Sequence, residues 1–115
     1  MVCDEVMSGF GRTGKLFAFC HAHGVIPDIV TFAKGVTSSF LPLGGVAIRD
    51  HIAEHFRSKP VGIGSTYNSH PVALASAYAV VQYMLKNNII QHVASMESVM
   101  EEEMRKIAKN HPRFT

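Results

Sequence analysis

The chain alternates short apolar runs with polar, glycine-rich joints. Met1-Val2-Cys3 is apolar and breaks off at Asp4-Glu5, so it reads as the end of a buried strand. Three residues is short for a strand, and this predicts that the strand's beginning is missing. Gly9, Gly11 and Gly14 fall within six residues and require a tight loop. Leu16 to His23 predicts a short helix, with Gly24 placed to end it. Pro27-Asp28 marks a turn. Ile29 to Ala33 is β-branched and apolar, a second buried strand, and Lys34 stands at its C-terminal end. Leu43 to Ile48 predicts a third strand. Asp50 is placed to cap a helix from His51 to Phe56, and Ser58 to Asn68 reads as loop.

The second half is helical. Pro71 occupies a first helical turn, where its missing N–H costs little. Val72 to Leu85 is apolar nearly all round, which predicts a buried helix. Asn87-Asn88 interrupts it. Ile89, Val93, Met96, Met100, Met104 and Ile107 then recur at three- and four-residue steps, predicting one long helix with a single apolar stripe. Glutamates 101–103 lie on its solvated face, and His111-Pro112 closes it. Strands alternating with helices give an α/β layout with a mostly parallel sheet. Three strands, one cut short, make that architecture look incomplete.

Composition narrows the function. The chain has 115 residues, 47% of them hydrophobic and 17% charged, a balance that suits a globular core. The net charge of +2 comes without a basic run, which argues against nucleic acid as a partner. No run of about 18 apolar residues predicts a membrane span, and the start lacks a signal-peptide layout. Cys3 and Cys20 do not form a disulfide framework, so a cytoplasmic, reducing compartment is expected. Cys20-His21-Ala22-His23 gathers three possible metal ligands, but on a helix the two histidines face different ways. No second cluster completes four, so no metal is expected.

Two phosphate-binding patterns overlap at Gly9-Phe10-Gly11-Arg12-Thr13-Gly14-Lys15. A dinucleotide site needs an acid at the end of the next strand, and Asp28 begins that strand instead. A P-loop needs Ser or Thr after the lysine to hold magnesium, and Leu16 stands there. A glycine-rich turn allowing close backbone approach is the simpler reading.

Asp4 and Lys34 each end a strand, and ligands in α/β sheets bind beyond the carboxyl ends of strands. A carboxylate and an amine so placed are what a pyridoxal phosphate (PLP) site requires. A buried ion pair without a catalytic role is the alternative that this spacing leaves open.

The whole run of motifs resembles the class III, omega-amino-acid aminotransferases of the aspartate-aminotransferase fold. The resemblance is carried by Asp4-Glu5-Val6, Gly9 to Lys15, Pro27-Asp28-Ile29, Ala33-Lys34-Gly35, Leu41-Pro42-Leu43-Gly44-Gly45, Thr66-Tyr67 and His70-Pro71. It implies that Lys34 forms the Schiff base with PLP and carries the proton of the 1,3-shift. It implies that Asp4 binds the pyridine nitrogen and that Val6 packs against the ring. Thr66 would bond the cofactor phosphate across a homodimer interface. Glu5 is expected to be structural, and Arg12 to hold the loop together. The resemblance implies an incomplete piece of the PLP-dependent transferase large domain. Residues 1–86 would be the C-terminal half of that domain, and residues 87–115 would lead towards a small C-terminal domain. The implied activity moves an amino group from an omega-amino acid or primary amine to a keto acid such as pyruvate. The wording of the Asp4–Lys15 stretch leans towards the branch that uses taurine or β-alanine. The rivals are an inactive, truncated piece acting only as an association module, and a nucleotide-binding α/β domain using Gly9–Gly14.

Overall fold

The computed structural model describes residues 1–111 and 113. Three strands form one sheet in the order β1 (Val2–Asp4), β2 (Ile29–Phe32) and β3 (Gly45–Ile48). Strand β1 runs parallel to β2, with Asp4 opposite Thr31. Strand β3 runs antiparallel to β2, with Thr31 opposite Val46. The sheet expected to be mostly parallel is therefore mixed. The links explain this. Parallel neighbours need a long crossover, and residues 5–28 supply one between β1 and β2. The segment between β2 and β3, residues 33–44, is half as long as that link and carries only a 3-10 turn, Lys34–Thr37.

The expected strands shift at their edges. Strand β1 includes Asp4, and β3 starts at Gly45 instead of Leu43. The sheet is also less buried than its apolar runs implied. Val2, Val46 and Ile48 are exposed, and Val30 is the one strand residue in the apolar core among the described residues. The helix expected over Leu16 to His23 shrinks to a 3-10 turn, Ala18–His21. Its backbone becomes extended at Ala22, before Gly24 can act as a cap.

Among the described residues four α-helices follow: α1 (Asp50–His55), α2 (Pro71–Lys86), α3 (Ile89–Ser95) and α4 (Glu97–Asn110). Arg49, not Asp50, is the cap position of α1, so Asp50 acts from within the first turn, near the helix's positive end. Pro71 occupies the first turn of α2 as expected. The burial expected all round α2 is limited to one stripe, Ala73, Ala77 and Met84, while Val72, Leu74, Tyr78, Tyr83 and Leu85 are exposed. That stripe lies along the helix at the spacing of one face, and the helix packs against the Lys34–Thr37 turn. The single helix expected after Asn88 is two, parted at Met96. Asn88 starts α3 in the left-handed conformation, which asparagine tolerates better than most residues. His111 ends α4 in extended conformation, and Pro112 lies outside the described residues.

Candidate active site

Two strand ends and one turn build the site. The parallel pairing sets the C-terminal ends of β1 and β2 side by side, which brings Asp4 next to the residues preceding Lys34. Asp4 Oδ1 accepts a hydrogen bond from the Val6 amide at 3.1 Å and another from the Thr31 hydroxyl at 2.9 Å. These two bonds, and then the Lys34 ammonium, outweigh slight burial and hold the Asp4 carboxyl below the usual aspartate range. Asp4 is thus an ionised acceptor.

Lys34 follows β2 by one intervening residue, Ala33, and opens the 3-10 turn. Its φ of +42° is left-handed, a conformation that disfavours lysine by about 1 kcal/mol or more and that tends to persist at functional positions. Several contacts hold the turn there. The Ser39 amide donates to the Lys34 carbonyl at 3.0 Å. Thr37 is fully buried and donates its hydroxyl to the Leu41 carbonyl at 2.7 Å. Gly35 lies against the glycine loop: a Cβ there would stand 3.0 Å from Phe10 Cβ and 3.1 Å from the Gly9 carbonyl oxygen. Phe10 in turn packs edge-on against Phe17 and Phe32, with ring centres 5.5 and 5.6 Å away.

The Lys34 side chain is exposed and its Nζ touches the Met7 sulfur. Lys34 lines two adjoining clefts. One, of about 830 Å³, runs between the glycine loop, Arg12, Ser38, Ser39 and the start of α3. The other, of about 650 Å³, is walled by Ala33 and Leu41–Gly44. Asp4 lines neither cleft, but the Lys34 charge reaches it. Val6 is half-buried and reaches Asp4 through its backbone amide. Thr66 stands apart. It is exposed in the segment between α1 and α2 and lines neither cleft.

Sequence reasoning missed two neighbours. Thr31 was legible only through the strand register, which puts it opposite Asp4. Met7 left no signal, because its place beside Lys34 depends on how the loop folds back. Glu5, expected to be structural, is nearly buried at 3% exposure. Its carboxylate accepts from the Ser8 hydroxyl at 2.6 Å and from the Ala18 and Phe19 amides at 3.0 and 2.9 Å.

Residues 9–14 do not lead into an α-helix, so they lack the helix N-terminus on which a dinucleotide's pyrophosphate would rest. His21 Nε2 lies 3.0 Å from the Thr13 carbonyl and 3.1 Å from its hydroxyl, which ties that histidine to the loop. Among the described residues no three His, Cys, Asp or Glu side chains gather to hold a metal ion, and no helix is long and apolar enough to cross a membrane.

The sequence profile of the aminotransferase class-III family matches residues 1–115. The chain is 37% identical to the omega-amino acid–pyruvate aminotransferase of Pseudomonas putida, over 96% of this chain and 26% of that protein. It is also 37% identical to the 4-aminobutyrate aminotransferase of Escherichia coli, over 99% of this chain and 26% of that protein. Among solved structures, the taurine:2-oxoglutarate aminotransferase of Bifidobacterium kashiwanohense, in complex with PLP and glutamate, superposes with a TM-score of 0.91 at 42% identity. That match covers 96% of this chain and 25% of that one. The chain thus spans about a quarter of the length of the relatives it matches.

Proposed function

Because the chain belongs to the class-III aminotransferases, we propose that it carries the PLP-anchoring part of a transaminase site. The observation that carries this reading is an ionised Asp4 and an exposed Lys34 at the ends of adjacent parallel strands, close enough for the lysine's charge to act on the carboxyl. The residues fit the cofactor: its pyridine nitrogen requires a charged acceptor, and its aldehyde requires an accessible amine.

PLP, when bound, supplies an electron-accepting ring and an aldehyde that takes up the amino group. Asp4 would hold a proton on the pyridine nitrogen, and its two hydrogen bonds orient its carboxylate. Lys34 Nζ, the accessible amine of the site, would hold the group covalently and would be the base that carries a proton in the transfer. Val6, whose amide bonds Asp4, would pack against the ring. Thr66 lies far along the chain from these groups and lines neither Lys34 cleft. This accords with a phosphate contact made across a homodimer interface.

The reaction moves an amino group from an omega-amino acid or primary amine to a keto acid such as pyruvate. Its support is the similarity to an omega-amino acid–pyruvate aminotransferase and to a taurine aminotransferase. We divide the chain at residue 86, where α2 ends, between the cofactor-binding part and helices leading onward. The cytoplasm is the compartment that the two free cysteines favour.

Alanine formation from pyruvate, assayed with β-alanine or taurine as donor and intact protein loaded with PLP, tests this reading. Activity that falls by at least a thousandfold in Lys34→Ala supports it. Activity retained in Lys34→Ala overturns it.

A further inference from the structure

Glu5 is nearly buried and charged, and the reaction above leaves it no task. A carboxylate at 3% exposure normally needs strong partners, and this one has three donors from two separate segments. Burial alone would push its carboxyl up. The bonds from Ser8, Ala18 and Phe19 more than offset that and bring it below the ordinary glutamate range. Its main chain is gripped as well: the Glu5 amide donates to the Thr31 carbonyl at 2.8 Å, and the Gly9 amide donates to the Glu5 carbonyl at 2.9 Å.

The residue therefore joins three parts of the molecule. It continues the β1–β2 pairing one step past Asp4, on the same Thr31 whose hydroxyl bonds Asp4. It fixes the start of the glycine loop, where Gly9 and Phe10 press on Gly35, the residue after Lys34. It also pins the Ala18–His21 turn, next to Phe17, which packs against Phe10. We propose that Glu5 is a positioning residue, a buried anionic brace that holds Asp4 and Lys34 at the spacing a bound pyridoxal group requires. This rests on the reading of Asp4 and Lys34 given above.

The test uses Glu5→Gln and Ser8→Ala in the intact protein. Glutamine keeps the shape but leaves one carbonyl oxygen to serve three donors, whereas Ser8→Ala removes a single donor. Folding is checked by circular dichroism, cofactor affinity by titration with PLP, and site geometry by the visible absorption of the bound cofactor. Glu5→Gln is expected to weaken PLP binding about tenfold and to shift the visible maximum. Ser8→Ala is expected to weaken binding about threefold with a smaller shift in the same direction. At saturating PLP, kcat should fall while KM for the amine stays within twofold. Lower thermal stability with unchanged affinity and an unchanged band in both variants overturns the positioning role and leaves a merely structural one. If Glu5→Gln does not fold, Ser8→Ala decides by the same criteria. Borohydride treatment of the unsubstituted protein separates the two claims. Cofactor trapped on Lys34 there, with unaffected variants, overturns the brace alone. No trapping on Lys34 overturns the reading of the site and the brace with it.

Discussion

At the scale of single residues, the pair of hydrogen bonds to Asp4 decides its charge. A carboxyl held below its unfolded-state value contributes stability that is present above that value and is lost as pH falls through the folded-state value. Thr31→Val removes one donor, so the Asp4 midpoint should rise towards the ordinary aspartate range. Carbon-13 NMR titration of the Asp4 carboxyl checks this, and an unmoved midpoint would show that the Val6 amide suffices. The strand-end places of Asp4 and Lys34 were legible in the sequence, because each charged residue follows an apolar run. Their mutual partners were not. Thr31 sits within a β-branched run like any strand threonine, and the link from Met7 to Lys34 spans 27 positions. The strain at Lys34 was equally hidden, since nothing in Ala33-Lys34-Gly35 announces a left-handed lysine.

At the scale of elements, the sequence located the pieces better than it judged their burial. Turn residues are local devices, so Pro71, Asn88 and the glycine loop were readable. Burial depends on what covers a face. The apolar surround of α2 implied a core helix, yet one stripe of it is buried. The break at Met96 was missed because the apolar repeat runs across it with no proline or glycine to mark it. The glycine loop also serves a purpose that its pattern did not reveal, as a seat for α3. A Cβ on Gly14 would lie 2.9 Å from Ala94 Cα, and the backbone there has a φ of +78°. Gly14→Ala should therefore displace α3 and destabilise the intact protein by about 1–3 kcal/mol. A lower urea midpoint would show this, and an unchanged midpoint would mean that the loop and α3 are not held together.

At the scale of the whole molecule, the apolar core is small for the chain. Val30, Val36, Ala73, Ala77 and Met84 make up the buried apolar side chains among the described residues. The radius of gyration is 17.9 Å, against about 13 Å for a compact domain of this length. Helices α2 and α4 expose apolar rows that include Leu74, Tyr78, Met100 and Met104. Residues 1–115 produced by themselves should bind a hydrophobic dye such as ANS and melt without a sharp transition. A single cooperative melt without dye binding would contradict that. The fold class was legible because strand and helix periodicities differ. The mixed pairing was not, since antiparallel addition of β3 depends on the short link from β2, not on strand composition. The proposed role of Lys34 as the cofactor lysine is open to direct chemical trapping. The intact protein is incubated with PLP, reduced with borohydride and digested, and the added mass is located by mass spectrometry. One pyridoxyl group per chain, on Lys34, is expected. Label on Lys15 instead, or none on Lys34, would contradict it.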